Sequence, residues 1–214
     1  AVPLHFEQPE TAARQLVESV RGRAINGILA LGDCQTATAA RAAHLLDLLY
    51  NSPKSVENCR SKLRQRQVLR AAGLPVPEFF DFHTGAPIES ALSLSKFPCV
   101  LKPLRLSASQ GVIRVNDADE FRAAVARIAR LLSSPEVQVR REPELDRILV
   151  ESYISGVEVA LEGLLVVGQL RVLALFDKPD PLEGPYFEES IYTTPSRLPS
   201  DMQARIANCA QRTV

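Results

Sequence analysis

Hydrophobic and polar positions alternate along this chain in blocks of two periods. Ala12, Ala13, Leu16, Val17 and Val20 recur at helical spacing and predict a helix over Pro9 to Arg23. Ile25 to Leu31 (INGILAL) is a short apolar run that predicts a buried strand, ended by Gly32-Asp33. Thr36 to Leu49 returns to helical spacing through Ala39, Ala40, Ala43, Leu46 and Leu49. Helix, strand and helix with no hairpin signal between them predict part of a doubly wound α/β layer. Asp33 reads as a helix cap, although the carboxyl end of a strand in such a layer is also where ligands sit.

Asn51-Ser52-Pro53 breaks the pattern. Ser55 to Ala72 then predicts a basic helix or helix pair, closed by Gly73 and the stiff Leu74-Pro75-Val76-Pro77. A solvated face accounts for most of Arg60, Lys62, Arg64, Arg66 and Arg70, with room for one to face a ligand. Glu78 to Phe82 predicts a strand and Ile88 to Leu94 a short helix. Asp117 reads as the N-cap of a helix to Leu132, with Glu120 three residues on in a capping-box arrangement. Its apolar face is Phe121, Ala124, Val125, Ile128 and Leu131. Ser133 to Arg147 is polar, carries two prolines and reads as a loop.

Between those two helices lies Phe97 to Val115, FPCVLKPLRLSASQGVIRV. Two apolar runs flank small polar residues around Arg105, which predicts strand, loop and strand. Small residues let backbone N–H groups approach an anion, and Gly111 can adopt a positive φ. Lys102 closes the first strand and sets a cation beside the loop. The parts suit a phosphate chain; a plain hairpin with a surface lysine and a mobile turn fits the same residues. Further on, Ile148 to Ile154 (ILVESYI) leads three apolar residues to a carboxylate, and Ser155-Gly156 turns the chain. Val157 to Leu165 and Gln169 to Asp177 predict an antiparallel pair bent at Gly168. Period-two alternation puts Glu158, Ala160 and Glu162 on one face. Acids there need a wet or liganded face, and a solvent-facing edge is the alternative for Glu162. Pro179 to Phe187 reads as a functional loop after Lys178, Glu188 to Thr194 as another strand, and Ser200 to Arg212 as a helix.

Composition narrows the class. The 25 basic and 25 acidic residues of the 214 balance with no block of one sign, which argues against a nucleic-acid or electrostatic membrane binder. There is no apolar run of about 18 residues to span a membrane, and AVPLHFEQPE does not read as a signal peptide. Cys34, Cys59, Cys99 and Cys209 are scattered, so a reducing cytoplasm fits best, with Cys99 a small core residue. His5, His44 and His83 are isolated and build no metal cage or nucleophilic triad.

Taken in order, these pieces resemble the ATP-grasp superfamily, and its carboxylate–amine ligase branch most. The likeness rests on Lys62, Lys102-Pro103, Ser107 to Gly111, Val150-Glu151-Ser152-Tyr153-Ile154 and Gly156-Val157-Glu158, then FDKPDP, YFEES and TPSRLP. The resemblance implies residues 1–60 as the end of a Rossmann-like α/β layer that precedes the grasp. Residues 61–154 become a linker helix and α+β lid, and 155–214 the start of an antiparallel C-terminal subdomain. It implies that Lys62 and Lys102 contact the phosphates of ATP, with the backbone around Ser107, Ser109 and Gly111 folded over them. Glu151 accepts from the adenine amino group, the backbone of Ser152 to Ile154 completes the adenine edge, Glu158 binds the ribose hydroxyls, and Lys178 touches phosphate or substrate. The expected activity is ATP-dependent ligation of a small carboxylate to an amine, with Mg²⁺. The metal acids of the family, an acid and an E-x-N pair, are not found here, so the chain is expected to be the ATP-binding portion of a longer enzyme. A biotin-carboxylase-like enzyme and a nucleotide-binding module without chemistry are the rival readings. Oligomeric state is left open, a homodimer included.

Overall fold

The computed structural model describes residues 2–179, 185–187 and 191–214. Helices α1 (Pro9–Ser19), α2 (Asp33–Leu45), α3 (Pro53–Arg60) and α4 (Lys62–Ala71) come first. Alanines let the first two approach closely: Ala12, Ala13, Ala37, Ala40, Ala42 and Ala43 are all buried. The expected strand at Ile25 to Leu31 does not form. That stretch carries no strand pairing, and Leu29 and Leu31 stand 85% and 80% exposed. A strand exists only against a partner, because its backbone donors and acceptors face sideways. No described residue pairs with this stretch, so the doubly wound layer is not seen here. Gly32, at φ +102, is the N-cap of α2, and Asp33 is the first residue inside the helix rather than its cap.

The basic stretch resolves into a helix pair. Ser52 caps α3 and Ser61 caps α4, each accepting from the backbone N–H three residues on. Gly73, at φ +69, ends α4 as expected, with Leu74 N–H reaching Leu69 O at 3.0 Å.

A four-stranded antiparallel sheet follows, built from β1 (Phe79–His83), β2 (Cys99–Pro103), β3 (Ile113–Val115) and β4 (Arg147–Ser152) in the order β1-β4-β2-β3. Helix α5 (Ile88–Leu94) and the longer α6 (Ala118–Leu132) pack on one face. Asp117 Oδ1 caps α6 by accepting from the N–H groups of Asp119 and Glu120. Glu120 reaches back to Asn116 N–H rather than to the cap itself. The polar stretch after α6 is not all loop, because it holds the single turn α7 (Pro135–Gln138).

Strand alternation decides what each face carries. Cys99 and Leu101 on β2, with Ile148 and Val150 on β4, join Phe121, Ile128 and Leu132 of α6 in the core. Each large apolar side chain so buried contributes roughly 1.5–3 kcal/mol. The intervening residues, Val100, Lys102, Leu149 and Glu151, therefore share the opposite face. Register pairs Lys102 with Leu149 and Val100 with Glu151, so Lys102 and Glu151 are diagonal neighbours.

The second sheet is the hairpin β5 (Val159–Val166) and β6 (Gln169–Asp177), with α8 (Ser200–Gln211) beside β6. The ladder shifts register between Glu162 and Gly163. A Cβ on Gly163 would meet Leu170 Cδ1 at 2.7 Å and Arg171 O at 3.0 Å, so a side chain there would press on the facing strand. Glu162 is exposed, which selects its solvent-edge reading. Of the strand expected over Glu188 to Thr194, residues 188–190 lie outside the described residues. Thr193 makes an isolated bridge to Asp177. Likewise 180–184 of the expected loop lie outside them. Among the described residues no helix is long and apolar enough to cross a membrane.

Candidate functional site

The sheet face opposite the core is covered by the start of α4, and it holds a cluster of four charges. Lys102 Nζ lies 2.5 Å from Glu151 Oε2, and Arg66 Nε lies 2.6 Å from Glu151 Oε1. Glu151 is only 4% exposed. Lys62 Nζ donates to Leu106 O, and its N–H reaches Leu104 O at 3.1 Å. The lysine thus ties the first turn of α4 to the loop after β2.

The electrostatics follow from this crowding. Burial pushes Lys62 down, the neighbouring ammonium of Lys102 pushes it further, and it settles at about 8. Burial alone would raise Glu151. Lys102 and then Arg66 outweigh burial and hold its carboxyl below the usual range. Three cations stand around Glu151, with Asp33 a second carboxylate acting on Lys62, so the cluster keeps an excess of positive charge partly out of bulk water. Such a place favours a polyanion.

The loop from Ser107 to Gly111 leads away from this cluster. Ser107, Ala108, Ser109 and Gln110 are exposed. Ala108 and Ser109 both adopt left-handed backbone, at φ 52 and 55, and Gly111 sits at +73. A Cβ on Gly111 would meet Pro103 Cγ at 2.9 Å and Leu131 Cδ2 at 3.0 Å. Among the described residues, the N–H groups of Ala108, Ser109 and Gly111 have no protein partner. Arg105, in the same loop, is not available to a ligand. Its guanidinium is buried against Glu144 at 3.2 Å and Glu57 at 3.6 Å.

Beyond Glu151 the chain runs directly into a second feature, a cleft of about 670 Å³ lined by Tyr153, Ile154, Glu158, Lys178 and Phe187. Ile154 is 70% exposed, and its N–H has no partner among the described residues. Ser152 is differently employed: its N–H donates to Glu78 O and its Oγ accepts from Glu78 N–H. Tyr153 N–H donates to Pro98 O at 3.2 Å, and the ring lies under the guanidinium of Arg114 at 4.1 Å. Glu158 pairs with Lys178 across the mouth of the hairpin. Asp177 accepts from Ser196 Oγ at 2.5 Å and from Arg197 N–H at 2.8 Å, and these bonds hold its carboxyl below the ordinary range.

Residues 95–214, more than half of the chain, match the model of the ATP-grasp domain. This chain belongs to the ATP-grasp family. Among relatives, protein y4rH of Sinorhizobium fredii is 30% identical over 88% of the chain and 37% of its own length. D-alanine–D-alanine ligase of Ralstonia pickettii is 26% identical over 63% of the chain and 38% of its own length. Among solved structures, the L-amino acid ligase from Bacillus licheniformis superposes with a TM-score of 0.81 at 30% identity, covering 100% of this chain and 50% of that one. The chain spans 37% to 54% of the length of the curated relatives it matches.

Of the ten ATP-grasp positions expected from sequence, Lys62, Lys102 and Glu151 meet in the charged cluster. Ser107, Ser109 and Gly111 form the loop beside it, and Ile154, Glu158 and Lys178 line the cleft. Ser152 turns toward β1. Sequence reasoning left Arg66 among solvated charges. Its spacing of four from Lys62 was the available signal, since that spacing puts both on one helix face. Among the described residues no group of three His, Cys, Asp or Glu side chains could hold a metal ion.

Proposed function

We propose that this chain is the ATP-binding portion of a carboxylate–amine ligase. The observation that carries the reading is the buried excess of cations at Lys62, Lys102 and Arg66 around Glu151. Likeness to an L-amino acid ligase at 30% identity supports it. Lys62 and Lys102 take the phosphates, and the free N–H groups around Ser109 and Gly111 close over them. The nucleoside lies in the cleft, with Ile154 N–H at the adenine edge and Glu158 at the ribose. Glu151 retains lone pairs for the adenine amino group besides those given to Lys102 and Arg66. Lys178, beside Glu158, contacts phosphate or substrate. In this division residues 1–60, 61–154 and 155–214 serve as preceding domain, linker with lid, and floor.

In the reaction an oxygen of the substrate carboxylate attacks the γ-phosphorus, and the bond to the bridging oxygen of ADP breaks. The resulting acyl phosphate is attacked by an amine, phosphate leaves with its bonding electrons, and the amine loses a proton as the amide forms. Cations that meet the phosphates in a site closed to water stabilise the charge that moves onto ADP and exclude hydrolysis. Mg²⁺ bound with the nucleotide would add positive charge at the phosphates; no residue described here is assigned to it. The substrates are ATP, a small carboxylate such as an amino acid, and an amine, and the compartment is the cytoplasm. The intact protein should release ADP only when carboxylate and amine are both present. ADP release that needs bicarbonate and biotin instead, or tight ATP binding with no turnover on any acceptor, overturns the ligase reading.

A further inference from the structure

We propose that Arg66 is a positioning residue for Lys102, acting through Glu151; this deepens the nucleotide-binding reading and rests on it. The carboxylate of Glu151 is the hub. Its backbone is fixed between two strands, with Phe79 on one side and Val100 on the other. One oxygen takes Arg66 Nε at 2.6 Å and the other takes Lys102 Nζ at 2.5 Å. The guanidinium is itself oriented, because Arg66 Nη1 donates to Gln65 Oε1 at 2.8 Å. Terminal carboxylate torsions are broad in the absence of such partners. An arginine on Oε1 fixes the plane and presents Oε2 toward β2. Lys102 ends in a point charge on a flexible four-carbon stem, so its location is whatever its acceptor dictates.

Arg66 also divides the negative charge. With Oε1 committed to the guanidinium, Lys102 receives part of the carboxylate rather than all of it. The ammonium stays attractive to a phosphate while remaining pinned at one place. Remove Arg66, and Glu151 is free to turn, to accept Lys102 through either oxygen, and to draw Lys62 toward itself. The two lysines would then neutralise against the protein instead of the nucleotide.

The test is a double-mutant cycle in the intact protein, read as calorimetric affinity for ATP, with thermal unfolding to establish that each variant is folded. Arg66→Met is expected to weaken ATP about tenfold, as is Lys102→Met. The double variant should be no more than about twofold weaker than Lys102→Met alone, because Arg66 acts only through that lysine. Arg66→Lys, which keeps the charge but cannot bridge Gln65 and Glu151 together, should weaken ATP about threefold. That weakening should vanish in the Lys102→Met background, and this pair carries the test should Arg66→Met fail to fold. Losses that add in the double variant would mean that Arg66 acts by a route other than Lys102, either on the nucleotide itself or through the adenine contact of Glu151, and would overturn the proposal. Unchanged affinity in Arg66→Met beside a weakened Lys102→Met would overturn it too. A separate outcome, wild-type affinity in Lys102→Met, refutes the phosphate role of Lys102 itself and takes this proposal with it.

Discussion

Raising the pH from 7 to 9 should weaken ATP binding about tenfold, and Lys62 is the reason. In the folded protein its ammonium is held down to about 8 by burial and by Lys102. At pH 7 about nine in ten molecules carry the charge, at pH 8 half, and at pH 9 about one in eleven. A bound triphosphate supplies several negative charges within reach and returns the lysine toward its ordinary 10.5. Binding at pH 8 is therefore coupled to uptake of about half a proton, and the affinity follows the protonated fraction. Calorimetry at pH 8 in two buffers of different ionisation enthalpy reads the uptake directly, and the same titration at pH 7, 8 and 9 reads the affinity. In Lys62→Met both the uptake and the tenfold slope should disappear, leaving a weaker, flatter profile. An unchanged slope in Lys62→Met, or no proton uptake by the wild type at pH 8, would refute the argument that Lys62 enters the complex charged.

The same lysine bears on folding. Its folded pKa lies below the unfolded value, so its charge opposes folding by on the order of 2–3 kcal/mol below pH 8, and that penalty fades as pH rises through 8 toward 10.5. Denaturant titrations of the nucleotide-free protein should therefore show wild type gaining on Lys62→Met between pH 7.5 and 9.5; parallel curves would contradict this. Phe121→Ala, at a position fully buried under the sheet, should cost about 3–5 kcal/mol in a chemical melt. Gly111→Ala forces a methyl to within 3.0 Å of Pro103 and Leu131 at a positive φ, and should cost more than about 1 kcal/mol while weakening ATP. Stability equal to wild type would show that the loop relaxes freely.

Much of the fold could be read from local chemistry. The cap at Asp117, the C-terminal glycine at Gly73 and the face of α6 with Phe121 and Ile128 are written in adjacent residues, and they formed. Two kinds of feature were not legible. The run Ile25 to Leu31 has the composition of a strand, but composition supplies no partner, and it stays irregular with Leu29 and Leu31 in water. The buried networks are the other kind. Arg105, which looks like a loop cation, is committed to Glu144 and Glu57, each about 40 or more residues away. Arg66, which looks like a surface cation, is committed to Glu151, 85 residues away. Sequence spacing fixes which face of a helix a charge lies on, and tertiary register alone fixes what that face meets.

That difference explains why the two arginines ended with opposite fates. Arg105 meets two carboxylates, so its charge is more than matched, and the site has the character of a structural clamp between the helices and the loop. Around Glu151 the balance is reversed, with Lys62, Lys102 and Arg66 outnumbering Glu151 and the Asp33 that acts on Lys62. Breaking a buried pair by removing one partner commonly costs 3–5 kcal/mol, whereas an apolar replacement of the whole pair is often neutral. A cluster that carries unmatched positive charge out of water is thus costly to keep for stability alone. It persists at no loss only if something supplies the missing negative charge, as a nucleoside triphosphate would. On this view the destabilisation carried by Lys62 in the empty protein and the affinity for ATP have one origin, and thermal stability should rise on ATP addition by more in wild type than in Lys62→Met at the same concentration.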